Sequence, residues 1–395
     1  GGVAGELAVV LFPYLVFVCL AAAFSATLQT FGRFLEPALS PVWLNLAMIG
    51  LLGGAVWLGW AESEPGRMRW LCAGVLLGGF LQMAVPAAAL MRAGWRPRFD
   101  LARSAGVRQI AGLMGPTVLG SAIYLVNMAV SRAFGLSINE AAATVLNLAT
   151  RLMELPIGVF AVAVSTVVFP LIARHAARGE EAELTAAYRR GMRLILLINV
   201  PAAAGLAVLA EPVVRVLFQR GAFAEGDAAM GPVVVVCALG LPFLSFVSLA
   251  LRAFYARKDT RTPVRAAAWS FAVNVVASLV LMGPWSTVGL ASAGTLAVGV
   301  QAVYLQRKLT AAFPELGFRH LVKDLAKVVA ASAVMGAVVA GLWAWWMGLM
   351  GAGTMTSIAG LALCIGSGVA VYGGAVWVLR VEGRDELAAV LRRGR

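Results

Sequence analysis

The sequence predicts an all-α, polytopic membrane protein, and three observations carry that prediction. Of 395 residues, 61% are hydrophobic and only 13% are charged, with a mean hydropathy of +0.86; soluble domains hold roughly 45–50% apolar residues. Apolar runs of about 20 residues, the length a helix needs to cross a bilayer, recur along the chain, where a membrane barrel would show shorter alternating segments. The basic residues gather in the short connections between those runs.

Taken in order, the runs place spans at Leu7–Thr27, Val42–Trp60, Trp70–Met91, Ile110–Phe134, Ala141–Ala173, Leu194–Ala210 and Met230–Tyr255. Four more follow at Val264–Gly283, Val288–Leu305, Lys327–Met350 and Thr356–Leu379, about eleven in all by hydropathy.

Charge sets the orientation. The formal net charge is +13, and most of the 32 Lys and Arg residues fall in alternate connections: at Arg33, within 92–108, 174–193, 257–265 and 307–327, and from Arg380 to Arg395. Only Arg67, Arg69, Arg215 and Arg220 lie in the connections between them. The positive-inside rule reads the first set as cytoplasmic, which puts the C-terminus inside and accounts for the charge without a nucleic-acid partner. An odd number of spans then leaves Gly1 outside, with no signal peptide or basic leader to explain its export. That parity predicts an odd number of further spans upstream.

Segment 174–193, "RHAARGEEAELTAAYRRGMR", reads as an amphipathic cytoplasmic linker, helical, with Glu180, Glu181 and Glu183 early and Arg189, Arg190 and Arg193 late. Those charges suit a helix dipole and a solvated or lipid-surface face. Cys19, Cys72, Cys237 and Cys364 are dispersed through apolar spans without metal or disulfide spacing. His175 and His320 are the only histidines, both in predicted cytoplasmic loops, and no HExxH, GxSxG or Walker A motif occurs. Catalysis is therefore not expected. Asp259 in "ARKDTRTP" reads as a helix-start residue.

Two stretches resemble each other. "TLQTFGRFLEPALSPVWLN" ends a span at Phe31-Gly32-Arg33 and opens the next at Pro41, with Asn45 inside it. "LRAFYARKDTRTPVRAAAWSFAVN" ends a span at Tyr255-Ala256-Arg257 and opens the next at Pro263, with Asn274 inside. Proline suits a first helical turn, where its missing N–H had no partner anyway, and aromatic–arginine pairs anchor helix ends at interfaces, so the likeness has a local explanation as well as an evolutionary one. As a repeat it marks two related bundles, as in transporters whose halves face each other across a pathway.

Charges inside spans carry the functional reading. Arg151 and Glu154 stand i, i+3 inside an apolar run, so they share a helix face and can pair. A lone ion at the membrane centre costs at least ~2.5–3.5 kcal/mol and faces a bundle interior or a wet cavity. Pro156 kinks the helix just after them, and a run from Ala141 to Ala173 is longer than one straight crossing, so a bent or projecting helix is expected. Two readings stand: an internally satisfied ion pair stitching helices together, or a substrate site to which Arg132 and Arg252, at the ends of their spans, add positive charge. Guanidinium stays ionised and donates two parallel hydrogen bonds to phosphate oxygens, so the second reading predicts an anionic, phosphorylated substrate. Asn127, Asn274, Ser278 and Thr295 form a weaker polar set in three spans. They suit interhelical hydrogen bonding or, alternatively, a hard monovalent cation such as sodium.

At "NLATRLMELPIGVFAVAVSTVVFPLIAR", "VLFQRGAFAEGDAAM" and "RAFYARKDTRTPV" the chain closely resembles the MurJ/MviN lipid II flippase family of the multidrug, oligosaccharidyl-lipid and polysaccharide exporter superfamily. The likeness runs from Phe12-Pro13-Tyr14 into the C-terminal spans. It implies fourteen transmembrane helices: two six-helix lobes in a V around a central cavity, then two C-terminal helices. By this comparison residues 1–91 are the second half of the N-lobe (family helices 4–6), with the first three helices lacking, and 92–108 is the cytoplasmic inter-lobe connection. Residues 109–308 are the C-lobe (helices 7–12), 323–380 the final pair (helices 13–14) and 381–395 a basic cytoplasmic tail. The family's substrate-important arginine and glutamate fall on Arg151 and Glu154, with Thr150 where an aspartate is familiar. The cation site of some relatives falls on Asn127, Asn274, Ser278 and Thr295, with Ser278 in place of a carboxylate.

The resemblance implies a flippase, not an enzyme, of the bacterial cytoplasmic membrane, moving the undecaprenyl-pyrophosphate-linked peptidoglycan precursor from inner to outer leaflet by alternating access. Its expected partners are lipid II, membrane lipids and peptidoglycan-synthesis proteins. No cofactor is expected beyond coupling to a monovalent cation or to the membrane potential, worth about 2.3 kcal/mol per charge per 100 mV. The competing readings are export of another lipid-linked oligosaccharide or a drug, and a non-transporting membrane scaffold or membrane-embedded glycan transferase.

Overall fold

The computed structural model describes residues 3–31, 33, 35–96, 105–163, 168–218, 229–257, 259–316, 322–351 and 353–383. Two compact units divide the chain, Gly1–Arg103 and Ser104–Arg395. Among the described residues every regular element is a helix.

The first unit starts with α1 (Val3–Thr30), which is apolar around its whole circumference and carries Pro13 inside it. A single turn, α2 (Leu35–Ala38), leads to α3 (Ser40–Trp57), which has Pro41 in its first turn. In α4 (Glu64–Arg92), Ser63 caps the N-terminus by accepting from the Gly66 N–H at 3.2 Å, meeting one of the donors a helix start leaves open. Both α1 and α3 pack on α4. The contact is close because α4 presents small residues: a Cβ added to Gly74 or Gly78 would lie 2.8 Å from the backbone of Met48 or Leu44 on α3. This is the small-xxx-small packing of membrane helices, which have only van der Waals contact and few polar groups to hold them together. The outer faces are apolar; Val9 is 74% exposed and Trp57 86%. Apolar patches of that size meet lipid or a partner, not water.

The second unit begins with a hairpin of α5 (Ala105–Ile138) and α6 (Glu140–Ala163), in which Asn139 Oδ1 accepts from the Ala142 N–H at 2.6 Å and starts α6. Then come α7 (Phe169–Arg178), α8 (Glu181–Val208), α9 (Ala210–Phe218) and α10 (Met230–Ala256). Next are α11 (Arg261–Ala312), a 3-10 turn at Pro314–Leu316, α12 (Val322–Met350) and α13 (Thr354–Val378). Three apolar cores share α8: one with α7, α10 and α11, one with α6, α9 and α10, and one with α9, α12 and α13. It is the hub of the unit.

Among the described residues eight helices, α1, α3, α4, α8, α10, α11, α12 and α13, are long and apolar enough to cross a membrane. The chain is a multi-pass membrane protein. Among these, α11 contains two of the predicted spans, Val264–Gly283 and Val288–Leu305. Ser286 leaves helical geometry (φ 49, ψ −128) just after Pro284, and the two limbs fold back on each other. Gly289 lies so near Leu281 that a Cβ would come within 2.1 Å of its carbonyl oxygen, and Ser270 Oγ donates to Ala297 O at 3.2 Å. The other two predicted spans fall on α5 and α6.

Within the run Ala141–Ala173, α6 passes through Pro156 without interruption to Ala163 and α7 covers the run from Phe169; residues 164–167 lie outside the described residues. The segment 174–193 is helical apart from one break, with Glu181 and Glu183 exposed on one face. His175 lies on α7, which stops at Gly179 (φ +68), where Glu180 N–H donates to His175 O at 3.0 Å, the left-handed cap that glycine makes cheaply. Residues 181–193 are the first turns of α8, and Leu184, Ala187, Tyr188 and Met192 are buried in the core beneath. His320 lies outside the described residues.

Candidate functional site

Alternation of burial along α6 defines two faces. Ala142, Val145, Ala149, Leu152 and Met153 are buried against α8 and α10, at the i, i+3, i+4, i+7 spacing of a helix's inner stripe. The opposite face carries Asn147, Thr150, Arg151, Glu154 and Gly158, all exposed. Four polar side chains thus share the exposed face of α6, and charge turned toward lipid costs several kcal/mol.

Arg151 and Glu154 do share this face, but they do not pair: among the described residues no ion pair joins them. Instead Arg151 Nε donates to Asn147 Oδ1 at 3.3 Å, one turn earlier. Thr150 Oγ1 turns back to Leu146 O at 2.8 Å and so leaves the guanidinium alone. The i, i+3 spacing permits an ion pair without enforcing one, since exposed pairs are worth only about 0–1 kcal/mol. The interaction expected between Arg151 and Glu154 is thus replaced by a neutral amide contact, and the terminal nitrogens of the guanidinium keep their hydrogen-bonding capacity.

Arg132 is exposed on α5 and Arg252 half-buried on α10. The antiparallel α5–α6 hairpin, with Gly135 packed on Ala143, puts Arg132 about 7.5 Å from Arg151 along the helix axis at 1.5 Å per residue. Both therefore lie in one layer of the bundle.

The second polar set divides. Asn274 is buried on the first limb of α11; its Nδ2 donates to Asn127 Oδ1 at 2.8 Å and to Ser131 Oγ at 3.0 Å, both on α5. Ser278 is buried one turn further along. Thr295 turns elsewhere, donating to Val236 O of α10 at 3.1 Å. Asn127 and Asn274 are brought together as an interhelical hydrogen bond, joined by Ser131, which the sequence reading did not single out although it follows Asn127 at i+4. Among the described residues no group of three or more His, Cys, Asp or Glu side chains could hold a metal ion. A cavity of about 540 Å³ opens between α5, α10 and α11, lined by Tyr124, Asn127, Ser248, Tyr255 and Gln301 among apolar neighbours.

Long apolar helices in two compact units, with a polar face on the second, define a multi-pass, all-helical membrane protein. The solved structure of a lipid II flippase MurJ in an inward closed conformation superposes with a TM-score of 0.75 at 22% identity, covering 97% of this chain and 75% of that one. A MATE transporter of Vibrio cholerae shares the fold at a TM-score of 0.57 and 16% identity over 77% of this chain and 70% of its own. The family model described as lipid II flippase MurJ matches residues 2–359. A probable lipid II flippase MurJ of Rhizobium tropici is 33% identical over 378 residues, 93% of this chain and 69% of that protein. The chain belongs to the MurJ family.

Proposed function

We propose that this chain flips lipid II, the undecaprenyl-pyrophosphate-linked peptidoglycan precursor, from the inner to the outer leaflet of a bacterial cytoplasmic membrane, with its C-terminus on the cytoplasmic side. The observation that carries this reading is the exposed guanidinium of Arg151 on the polar face of α6, held by an amide and not neutralised by Glu154. A cation kept charged in a wet recess between apolar helices recognises a phosphorylated headgroup, and its planar fork takes two oxygens of the pyrophosphate at once. Arg132, in the same layer, adds positive charge. The prenyl tail stays in lipid, so only the headgroup requires a polar path. The transport step breaks no covalent bond; alternating exposure of the recess to the two sides does the work, and membrane potential biases each step that moves net charge.

The test is translocation of fluorescent lipid II across proteoliposomes holding the full-length protein. Arg151→Ala is expected to lower the rate at least about tenfold, the loss of one charge-assisted bidentate contact, while leaving the thermal unfolding midpoint within about 2 °C. An Arg151→Ala protein that flips lipid II at the wild-type rate refutes the role given to Arg151, whereas a wild-type protein that flips none refutes the reading itself and favours an exporter of a different lipid-linked oligosaccharide or a drug.

A further inference from the structure

We infer that Asn147 is a positioning residue for Arg151: it engages Nε with a neutral acceptor and so aims the two terminal guanidinium nitrogens, still fully charged, at a pyrophosphate. The inference rests on the reading of Arg151 as the headgroup-binding cation.

Three observations support it. First, Arg151 Nε meets Asn147 Oδ1 at 3.3 Å on the exposed face of α6, and among the described residues this is the only side-chain hydrogen bond Asn147 makes. Asn147 is exposed, so packing against a neighbouring helix does not explain it. Second, the carboxylate that could have oriented the guanidinium, Glu154, lies on the same face and does not pair with it; the neighbouring hydroxyl of Thr150 is committed to Leu146 O. Third, guanidinium has five N–H donors in a plane, one on Nε and four on the terminal nitrogens. A partner on Nε alone fixes the plane of the fork and leaves the two parallel donors that bind an oxyanion bidentately. A carboxylate in that position would fix the plane equally well but cancel the charge that attracts the ligand. Asn147 supplies direction without neutralisation. Lysine could not replace Arg151 here, since it has no Nε–H to receive the constraint.

The experiment is a double-mutant cycle on the full-length protein in nanodiscs, with undecaprenyl pyrophosphate and undecaprenyl monophosphate as probes. Asn147→Ala is expected to weaken pyrophosphate binding about three- to tenfold, the scale of one hydrogen bond, and to narrow the preference for pyrophosphate over monophosphate. In an Arg151→Lys background the same substitution is expected to change Kd by less than about twofold, because the donor it acts through is gone. Asn147→Asp, which keeps the acceptor and adds a negative charge, is expected to bind at least as weakly as Asn147→Ala. An equal effect of Asn147→Ala in both backgrounds, or wild-type affinity in Asn147→Ala, overturns the positioning role. So does wild-type affinity in Asn147→Asp. Failure of the underlying reading looks different: Arg151→Ala and Arg151→Lys would then both bind pyrophosphate as tightly as the wild type.

Discussion

At the scale of single residues, Asp259 is the best-defined side chain in the connection between α10 and α11. Its Oδ1 accepts from the N–H groups of Arg261 and Thr262 at 3.0 and 3.1 Å, and its Oδ2 from Thr262 Oγ1 at 2.7 Å. Partial burial pushes the carboxyl up, but the hydrogen bonds from Thr262 and Arg261 and the charge of Arg257 together outweigh it and hold it below the usual aspartate range. A carboxyl lowered in the folded state stabilises the protein above its unfolded value, and that stabilisation fades as pH falls through the folded value. Asp259→Ala is expected to cost about 0.5–2 kcal/mol through loss of the cap. The difference in thermal midpoint between wild type and variant should be steady from about pH 5 to 7 and shrink below pH 3.8. A difference that grows on acidification contradicts the assignment. Asp259 was legible as a helix-start residue because acid before a Thr-Arg-Thr-Pro run has few other uses. Asn147 was not, because an asparagine in an apolar run reads as one more interhelical hydrogen bond until the burial of Ala149 and Leu152 shows which face it occupies.

At the scale of helices, hydropathy locates spans well because the bilayer demands the same length and polarity of each. It does less well where one segment serves two environments. Residues 181–193 carry enough charge to read as an amphipathic linker, and their other face is buried: Leu184, Tyr188 and Met192 recur at helical spacing, with Tyr188 and Met192 in the core shared by α8 and α10. The break before them depends on one backbone angle at Gly179 and one N–H, that of Glu180, neither of which leaves a trace in average hydropathy. Small residues leave a clearer one. Gly74 and Gly78, four apart, mark the α3–α4 contact, with the backbone of Leu44 only 2.8 Å from a Cβ placed on Gly78. Gly78→Leu cannot be relieved by a rotamer change, so the helices must separate. The expected cost is about 1–3 kcal/mol, as for overpacked cores, read as a lower midpoint in detergent, whereas Gly50→Leu, whose Cβ meets nothing within 4 Å, is expected to be near neutral. Equal effects at the two glycines contradict close packing as the cause.

At the scale of the whole chain, the C-terminal pair α12–α13 is fastened to the hub helix α8 by two different means. One is apolar: Leu197 packs with Val328, Ala331, Cys364 and Tyr372, whose hydroxyl donates to Leu197 O at 2.9 Å. The other is ionic. Arg193, four residues before Leu197 on α8, meets Asp324 Oδ2 at 3.7 Å in the first turn of α12 and Glu382 Oε2 just beyond α13. One guanidinium thus joins three segments, with Lys327 reaching Arg380 O at 3.4 Å beside it. Hydropathy reveals the two helices but not this junction, since Arg193, Asp324 and Glu382 are far apart in sequence and each looks like an ordinary interfacial charge. Asp324 is buried whereas Glu382 is exposed, so the two contacts differ in weight. Arg193→Ala leaves a buried carboxylate without its guanidinium and is expected to cost about 1–2 kcal/mol, between the values for exposed and buried pairs. Glu382→Ala, which removes only the exposed partner, should cost less than about 1 kcal/mol. Adding Asp324→Asn to Arg193→Ala should recover part of the loss, because the stranded charge goes with it. Midpoints of the purified full-length variants check all three, and a double variant less stable than Arg193→Ala alone would show that Asp324 is held by something other than Arg193.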